Sequence, residues 1–449
     1  MRYLLLLCAV IVMYGCQAVP VEQQKAIEAI KEKQVTSDDA GLHLELAKRY
    51  IAVAQENQSV EYIEKAVSEL EQFSEKVPDH IGAKLIRYNL YFSLTEQGDL
   101  SRGKKLDALF NELPEIIKDK VHPPSLAAAF YQIRSSGFSN KSVLRKLLHK
   151  SIKEQPKDGR AYIILADLYA EDGRQELAIP LLERGVGLNP EDGYLHMALG
   201  DLLIEKQEVS CFYEVDKLYQ RALAELRTAS KYIPDNPNLH YSLGRVYSHL
   251  GRHVLSINEI KKLDSLVNNE FSMRELADTY FYSGNLAEAG SIYDLILFNE
   301  KPAPLTYRNS ARYYLAQQEW SKSAVLWEKF FALENNISLY DRLAYSYVEE
   351  QLRGRSYALD RFKTSTASYS MTPWELKLRS YRLGELSKAE LNENASSKCD
   401  LTEASFLMGT DEFLMGNIDQ AKKYFNEVIG YNAYGFIEYT TAKVFLDGL

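Results

Sequence analysis

At 449 residues the chain is too long for one ordinary globular core, so its length predicts two or three domains or a repeat array. Hydrophobic residues make up 46% of the chain and charged residues 26%, which excludes a disordered protein and predicts a folded body. The formal net charge of -9, without any basic run, argues against nucleic-acid binding, which needs a basic patch to displace phosphate counterions.

Residues 1–16, MRYLLLLCAVIVMYGC, have the features of a secretory signal peptide. Arg2 precedes an apolar run that is too short to span a bilayer, so we expect the mature chain to be exported. The end of the run, MYGC, resembles the lipobox of bacterial lipoproteins, which implies lipidation of Cys16; Gln17 after it implies sorting to the outer membrane. Cleavage after Ala18 by the ordinary signal peptidase is the alternative, and it gives a soluble periplasmic or secreted protein.

Two cysteines remain if Cys8 leaves with the signal peptide and Cys16 carries lipid. An oxidising compartment would permit a disulfide between Cys211 and Cys399. The two residues lie far apart in sequence, and distant units of an extended repeat array do not touch. The sequence therefore favours two independent thiols.

Residues 17–39 are rich in Gln, Glu and Lys, and we expect a tether with some helix. Residues 40–157 show a weak two-helix pattern, in which the small residue Ala66 stands twelve positions before Pro78. A related segment, LRKLLHKSIKEQP, ends at Pro156. These are expected to be diverged copies of the clearer repeat that follows.

Residues 158–372 contain a repeat with a period of about 34 residues. Each unit has a small residue followed three positions later by a bulky one, then a turn and a second small residue. A proline ends some of the units. The first small residues are Ala166, Gly200, Gly244, Ala277, Ala311 and Ala344. The interval from Gly200 to Gly244 is 44 residues instead, which indicates a ten-residue insertion near 206–216.

Small residues allow two helices to pack closely, glycine permits the left-handed turn between them, and proline ends the second helix. Residues 373–449 repeat the pattern at YRLGELSKAEL and FLMGNIDQAKKYF, and GFIEYTTAKVFL predicts a last helix that caps the array.

The segments YIILADLYAEDGRQELAIPLLERGVGLNP and LHYSLGRVYSHLGRH resemble the tetratricopeptide repeat in period, register and residue types. The resemblance implies an all-α fold, an α-solenoid wound as a right-handed superhelix of about ten antiparallel helix pairs. The closing segment FLMGTDEFLMGNIDQAKKYFNEVIGYNAYGFIEYTTAKVFL is similar to the end of bacterial lipoproteins such as new lipoprotein I. This second resemblance implies an envelope adaptor without identifying its partner.

No catalytic motif of the GxSxG, HExxH, GxxxxGK[ST] or GxGxxG type occurs. His249 and His253 are four residues apart, but Gly251 places a turn between them, so they do not share a helix face. We expect no enzyme activity, no cofactor and no metal site. A hydrolase without a recognisable motif is the alternative from another class.

In a tetratricopeptide array the first helix of each unit lines a concave groove that binds protein segments. The repeat register predicts these partner-binding groove residues: Asp167, Tyr194, Asp201, Glu205, Tyr241, Arg245, His249, Arg274, Asp278, Tyr282, Arg308, Arg312 and Tyr345. Arg and Tyr, which anchor many protein interfaces, are frequent in the later part of the set.

The sequence therefore predicts a protein-protein interaction scaffold or adaptor of the bacterial cell envelope, with envelope proteins or peptide segments as partners. The alternative is a structural component of an envelope machine for pilus, secretion or polysaccharide export, in which the convex face and helix edges make the contacts.

Overall fold

The structure is a computed structural model that describes residues 21–57, 59–97, 100–114, 118, 121–136, 140–210, 215–298, 301–335 and 337–449. The predicted signal peptide, Cys16 and Cys211 lie outside these residues. All the regular structure described is helical, with 24 α-helices and one short 3-10 helix at Leu100–Arg102.

The helices follow one another with short connections. In chain order they are α1 (Val21–Thr36), α2 (Ala40–Asn57), α3 (Val60–Lys76), α4 (Ile81–Gln97), α5 (Gly103–Glu112), α6 (Pro124–Ser136), α7 (Lys141–Glu154), α8 (Gly159–Glu171), α9 (Gln175–Leu188), α10 (Gly193–Ser210), α11 (Val215–Tyr232), α12 (Pro237–His249), α13 (His253–Val267), α14 (Glu270–Ser283), α15 (Leu286–Leu297), α16 (Pro304–Ala316), α17 (Trp320–Leu333), α18 (Leu339–Arg353), α19 (Arg355–Ser365), α20 (Pro373–Arg382), α21 (Lys388–Asn394), α22 (Lys398–Leu414), α23 (Ile418–Gly430) and α24 (Ile437–Gly448).

Neighbouring helices pack as pairs, from α2 with α3 to α22 with α23, and the described contacts connect successive pairs from α2 to α9 and from α11 to α24. This arrangement confirms the predicted all-α solenoid. None of the helices in the described ranges is long and apolar enough to cross a membrane.

The chain divides into two compact units, residues 1–195 and residues 196–449, which we call unit 1 and unit 2. The division falls near the start of α10, inside the segment 158–372 that the sequence marks as a continuous central array.

The segment expected to be a tether contains helix α1, which packs on the rest of unit 1. Ile27 and Ile30 are buried against a cluster that includes Leu46, Tyr50 and Val53. Burying apolar side chains stabilises a helix that its own propensity would leave marginal. Part of residues 17–39 therefore belongs to the folded body.

The small residues act as predicted from the repeat, by allowing the two helices of a pair to approach closely. A Cβ atom on Gly244 would lie 2.4 Å from Ile260, and one on Gly409 would lie 2.7 Å from the Phe425 ring. At the turns, Gly251 has a φ of 67° and Gly284 a φ of 84°, which glycine adopts without strain.

The insertion near 206–216 lengthens the helices of one pair. Helices α10 and α11 each contain 18 residues, whereas α12 contains 13 and α13 contains 15. The connection between α10 and α11, residues 211–214, lies outside the described residues. The insertion does not change how the two helices of the pair meet, because Gly200 packs on Leu226 as Gly244 packs on Ile260 in the next pair.

Cys399, near the start of α22, is disulfide-bonded. The expectation that it is an independent thiol is therefore wrong. The other three cysteines of the chain all lie outside the described residues. The expectation assumed that distant parts of the array do not meet, yet the last helix, α24, contacts α14 and α16.

Candidate functional site

The first helices of successive pairs form an inner layer in unit 2. In the series α12, α14, α16, α18, α20 and α22, each helix contacts the next member. Because the units are 33 or 34 residues long, equivalent positions align across the layer, as Tyr241, Arg274, Arg308 and Asp341 do. Predicted groove residues from Tyr241 to Tyr345 lie on these helices.

Helix α24 lies on this inner layer instead of only capping the end of the array. It contacts α14 and α16 as well as its neighbours α22 and α23. In the turn before it, the Tyr434 ring lies beside Gly251 and Gly435 lies beside His249. The chain's own last helix thus covers part of the predicted groove.

A buried acidic pair joins α24 to α22. The Glu403 carboxylate accepts hydrogen bonds from Trp374 Nε1 at 2.7 Å and from the Tyr340 hydroxyl at 3.2 Å. Burial and the neighbouring charge of Glu438 raise the pKa of Glu403 to about 8. Burial also raises the pKa of Glu438, and the positive charge of Arg312 opposes that effect. At neutral pH the pair therefore retains a proton.

The contact between α24 and the inner layer is incompletely packed. A cavity of about 50 Å³ lies beneath Ile437, Glu438 and Thr441 of α24, and Arg312 and Tyr347 line its other side. The Tyr347 hydroxyl is buried without a hydrogen-bond partner among the described residues. A polar and cavity-containing contact of this kind stabilises less than a close-packed apolar one.

Two of the acidic groups that approach the arginines of α16 are already engaged. Arg312 donates to the Asp341 carboxylate at 2.7 Å. Asp278 accepts hydrogen bonds from the Tyr293 hydroxyl and, at 2.7 Å, from Asn309 Nδ2. Burial raises the pKa of Asp278, and the positive charges of Arg274 and Arg308 oppose that effect.

Arg308 has no ion-pair partner among the residues that the structure describes. Its side chain is half-buried, and its Nε donates to Asn309 Oδ1 at 3.2 Å. Burial and the like charge of Arg312 lower the pKa of its guanidinium group. A half-buried guanidinium group without a carboxylate partner is suited to bind an anionic group from another molecule.

Other predicted groove residues have contacts within their own or the adjacent helices. Arg274 is buried and pairs with Glu275 at 3.2 Å. Tyr282 is half-buried, and burial raises the pKa of its hydroxyl group. The Tyr345 hydroxyl donates to Glu328 at 3.1 Å.

Aromatic contacts organise the start of the layer. The Arg245 guanidinium group lies 5.6 Å from the centre of the Tyr241 ring, a distance at which cation–π attraction acts. The His249 ring stacks on the Tyr219 ring with centres 4.7 Å apart.

The predicted groove residues that come earlier in the sequence differ in their exposure. In unit 1, Asp167 is half-buried on α8, and Tyr194 is 52% exposed. In unit 2, Asp201 is buried on α10 and Glu205 is exposed. The role of the whole set in partner binding stays a prediction.

Sequence reasoning missed a recurring pair between the two helices of a unit. The fourth residue of a first helix is a histidine whose Nδ1 contacts a glutamate of the second helix. The pairs are His43 with Glu69 at 2.7 Å, His196 with Glu225 at 2.6 Å and His240 with Glu259 at 2.7 Å. The signal that would have found them is histidine at the same helical position in three units.

Among the described residues, no group of three or more His, Cys, Asp or Glu side chains is arranged to hold a metal ion. The acidic pair and the arginines of the inner layer lie on neighbouring helices. These side chains form ion pairs and hydrogen bonds.

One segment of the chain matches a model of a known repeat family. Residues 144–193 match the tetratricopeptide-repeat family TPR_16, as the sequence pattern predicted. Over 143 residues the chain is 28% identical to DnaJ homolog subfamily C member 3 of Gallus gallus, covering 29% of this chain and 26% of that protein. The match thus spans about a quarter of that relative's length.

Two solved structures of bacterial proteins are similar to parts of this chain. A tetratricopeptide repeat protein of Parabacteroides merdae is 16% identical with a TM-score of 0.39, covering 67% of this chain and 98% of that chain. The Pseudomonas aeruginosa pilF protein is 16% identical with a TM-score of 0.38, covering 47% of this chain and 93% of that chain.

Proposed function

We propose that this protein is a non-enzymatic interaction scaffold, or adaptor, of the bacterial cell envelope that binds segments of partner proteins on the inner layer of unit 2. The repeat match and the helical array support the scaffold role. The observation that carries the binding site is Arg308, a half-buried cation without an ion-pair partner among the described residues. The proposal includes no cofactor and no metal.

We place the protein on the periplasmic side of the outer membrane, anchored through lipid on Cys16. The apolar leader ending in MYGC supports this location. The disulfide at Cys399 supports export, because disulfides persist in oxidising compartments and are rare in the cytosol. A soluble periplasmic or secreted protein is the alternative.

Replacement Cys16→Ser tests the anchor. If Cys16 carries acyl chains, the variant should leave the membrane fraction and lose radiolabelled fatty acid, because each buried methylene group contributes about 0.8 kcal/mol to membrane binding. Cys399→Ser, which leaves the leader intact, is the control. Unchanged fractionation and labelling of Cys16→Ser would exclude the lipid anchor.

Co-purification from the membrane fraction tests the binding surface. We expect Arg308→Glu to lose a partner that the native protein retains, as identified by mass spectrometry. Arg353→Glu, at an exposed arginine of α18, should keep that partner. Arg312 stays unchanged in this test because it pairs with Asp341 inside the protein. Retention of every partner by Arg308→Glu would exclude this surface.

A structural component of an envelope machine is the second candidate, and exposed apolar residues at the end of α15 favour it. Phe298, after α15, is 90% exposed, and Leu295, three positions before it, is 58% exposed. Exposed apolar residues close together often mark interaction sites. A large complex on a sizing column that survives Arg308→Glu but dissociates with Phe298→Asp would favour this candidate over the inner layer.

A further inference from the structure

At α12 and α14, the contacts of α24 and of the turn before it fall at the C-terminal ends of the inner helices. Gly251 and Gly284, which follow α12 and α14, lie beside Tyr434 and Lys443. Arg308 stands one helical turn before Arg312, toward the N-terminal end of α16. We call the corresponding part of the layer, formed by Tyr241 and Arg308 with the buried Arg274 at the equivalent position of α14, the N-terminal half-groove.

We propose that the N-terminal half-groove binds a helical segment of a partner protein through an Asp or Glu side chain that pairs with Arg308, alongside the chain's own helix α24. This inference rests on the proposed scaffold function and specifies the chemistry of the partner. It requires no displacement of α24, whose buried residues Ala442 and Phe445 are part of the core of unit 2.

Charge complementarity indicates an acidic partner. Of the two acids whose charges act on Arg308, Asp341 pairs with Arg312 at 2.7 Å and Asp278 is held by Tyr293 and Asn309. Arg308 and Arg312 are four residues apart on one helix, where like charges repel. An incoming carboxylate relieves this repulsion and can accept two hydrogen bonds from one guanidinium group.

The surroundings of Arg308 indicate that apolar residues flank the acidic one. Leu305, one turn earlier on α16, is 37% exposed. Across the half-groove, the rings of Tyr241 and Phe271 are in contact, with centres 5.6 Å apart. Helix α24 shows that the inner layer accommodates this kind of segment, since it presents Glu438 between apolar neighbours to the same layer.

The test uses a display library of short amphipathic helices in which one central position is varied among Asp, Glu, Asn, Gln and Lys. The library is selected against the mature full-length protein at physiological salt. We expect Asp and Glu to be enriched, and the selected peptides, once synthesised, to bind Arg308→Glu at least about tenfold more weakly than the native protein. Changing the peptide's acid to Lys should restore binding to Arg308→Glu, while Arg353→Glu should bind as the native protein does.

Arg308→Leu tests whether the protein still folds without this guanidinium group. Because Arg308 has no ion-pair partner among the described residues, its melting temperature should fall by no more than about 2 °C. Peptides that bind without preference for an acid, or equally to Arg308→Glu, would overturn this inference and leave the scaffold function standing. A library that yields no binding peptide would count against both.

Discussion

Arg382 shows how single residues hold the inner layer of unit 2 together. Its guanidinium group is fully buried and donates to Glu350 at 2.6 Å and to Asp411 at 2.9 Å. It also donates to Ser346 and lies 4.0 Å from the centre of the Tyr347 ring. The residue thus connects α18, α20 and α22 through one fully satisfied charge.

We expect Arg382→Ala to reduce the free energy of unfolding by about 3 kcal/mol, because it removes the closest ion-pair partner of the buried Glu350 and Asp411 and leaves them paired only with the partly exposed Arg355 among the described residues. Chemical denaturation measures the change. Arg353→Ala, at an exposed arginine of α18, should change the free energy by less than about 0.5 kcal/mol. Equal effects of the two substitutions would contradict the role given to Arg382.

The acidic pair of Glu403 and Glu438 predicts a pH dependence of stability. The pKa of Glu403 rises from its ordinary 4.5 to about 8 on folding, so the folded state retains a proton that the unfolded state releases. The contribution of this proton to the free energy of unfolding is fully present below pH 4.5 and is lost as the pH rises through about 8. The loss should be on the order of 4 kcal/mol between about pH 5 and about pH 9.

Glu403→Gln tests this assignment by denaturation across the same pH range. Glutamine keeps an acceptor for Trp374 and Tyr340 but does not titrate, so the alkaline loss should largely disappear. Asp447→Asn, at an exposed acid of the same helix as Glu438, should leave the pH profile unchanged. A profile that is the same in Glu403→Gln and the native protein would show that another group titrates.

At the scale of the helices, the repeat is stabilised by a small residue of the first helix packing against a large one of the second. Gly409 of α22 lies against the Phe425 ring of α23, which is itself in contact with the Phe406 and Phe445 rings. The ring is fully buried and surrounded, so it has little room to move.

Gly409→Ala should therefore destabilise the protein by about 1–3 kcal/mol, although alanine favours helix more than glycine does. The new Cβ would lie 2.7 Å from the ring, and thermal unfolding measures the effect. Gly430→Ala on α23 is the matched control, since nothing lies within 4 Å of its added Cβ. A melting temperature that rises in both variants would show that Phe425 adapts.

The helix pairs and their turns could be predicted because their signals are local. Small residues, turn glycines and the period lie within one unit of sequence, and each leads directly to a contact such as that of Gly244 with Ile260. The path of α24 could not be predicted, because it depends on the curvature that many units accumulate. Spacing also could not distinguish Arg308, without an acid partner among the described residues, from Arg312, which pairs with Asp341, because ion pairing depends on the side-chain geometry between two neighbouring helices.

At the scale of the whole molecule, the disulfide at Cys399 connects the fold to the compartment in which it forms. A cross-link between residues distant in sequence restricts the unfolded chain and stabilises the folded one. Cys399 lies near the start of α22, and the last helix that follows it, α24, contacts α14 and α16. A disulfide at Cys399 therefore restrains the segment that carries α24.

The exported protein should therefore be more stable than the same mature chain produced in the cytosol. We expect a difference of about 2–4 kcal/mol in the free energy of unfolding, measured by denaturation without reductant. Cys399→Ser should remove the difference, because neither source can then form this bond. Peptide mapping of the exported protein should find Cys399 linked to another cysteine. A freely alkylated Cys399 in the exported protein would contradict both the bond and the argument for export that depends on it.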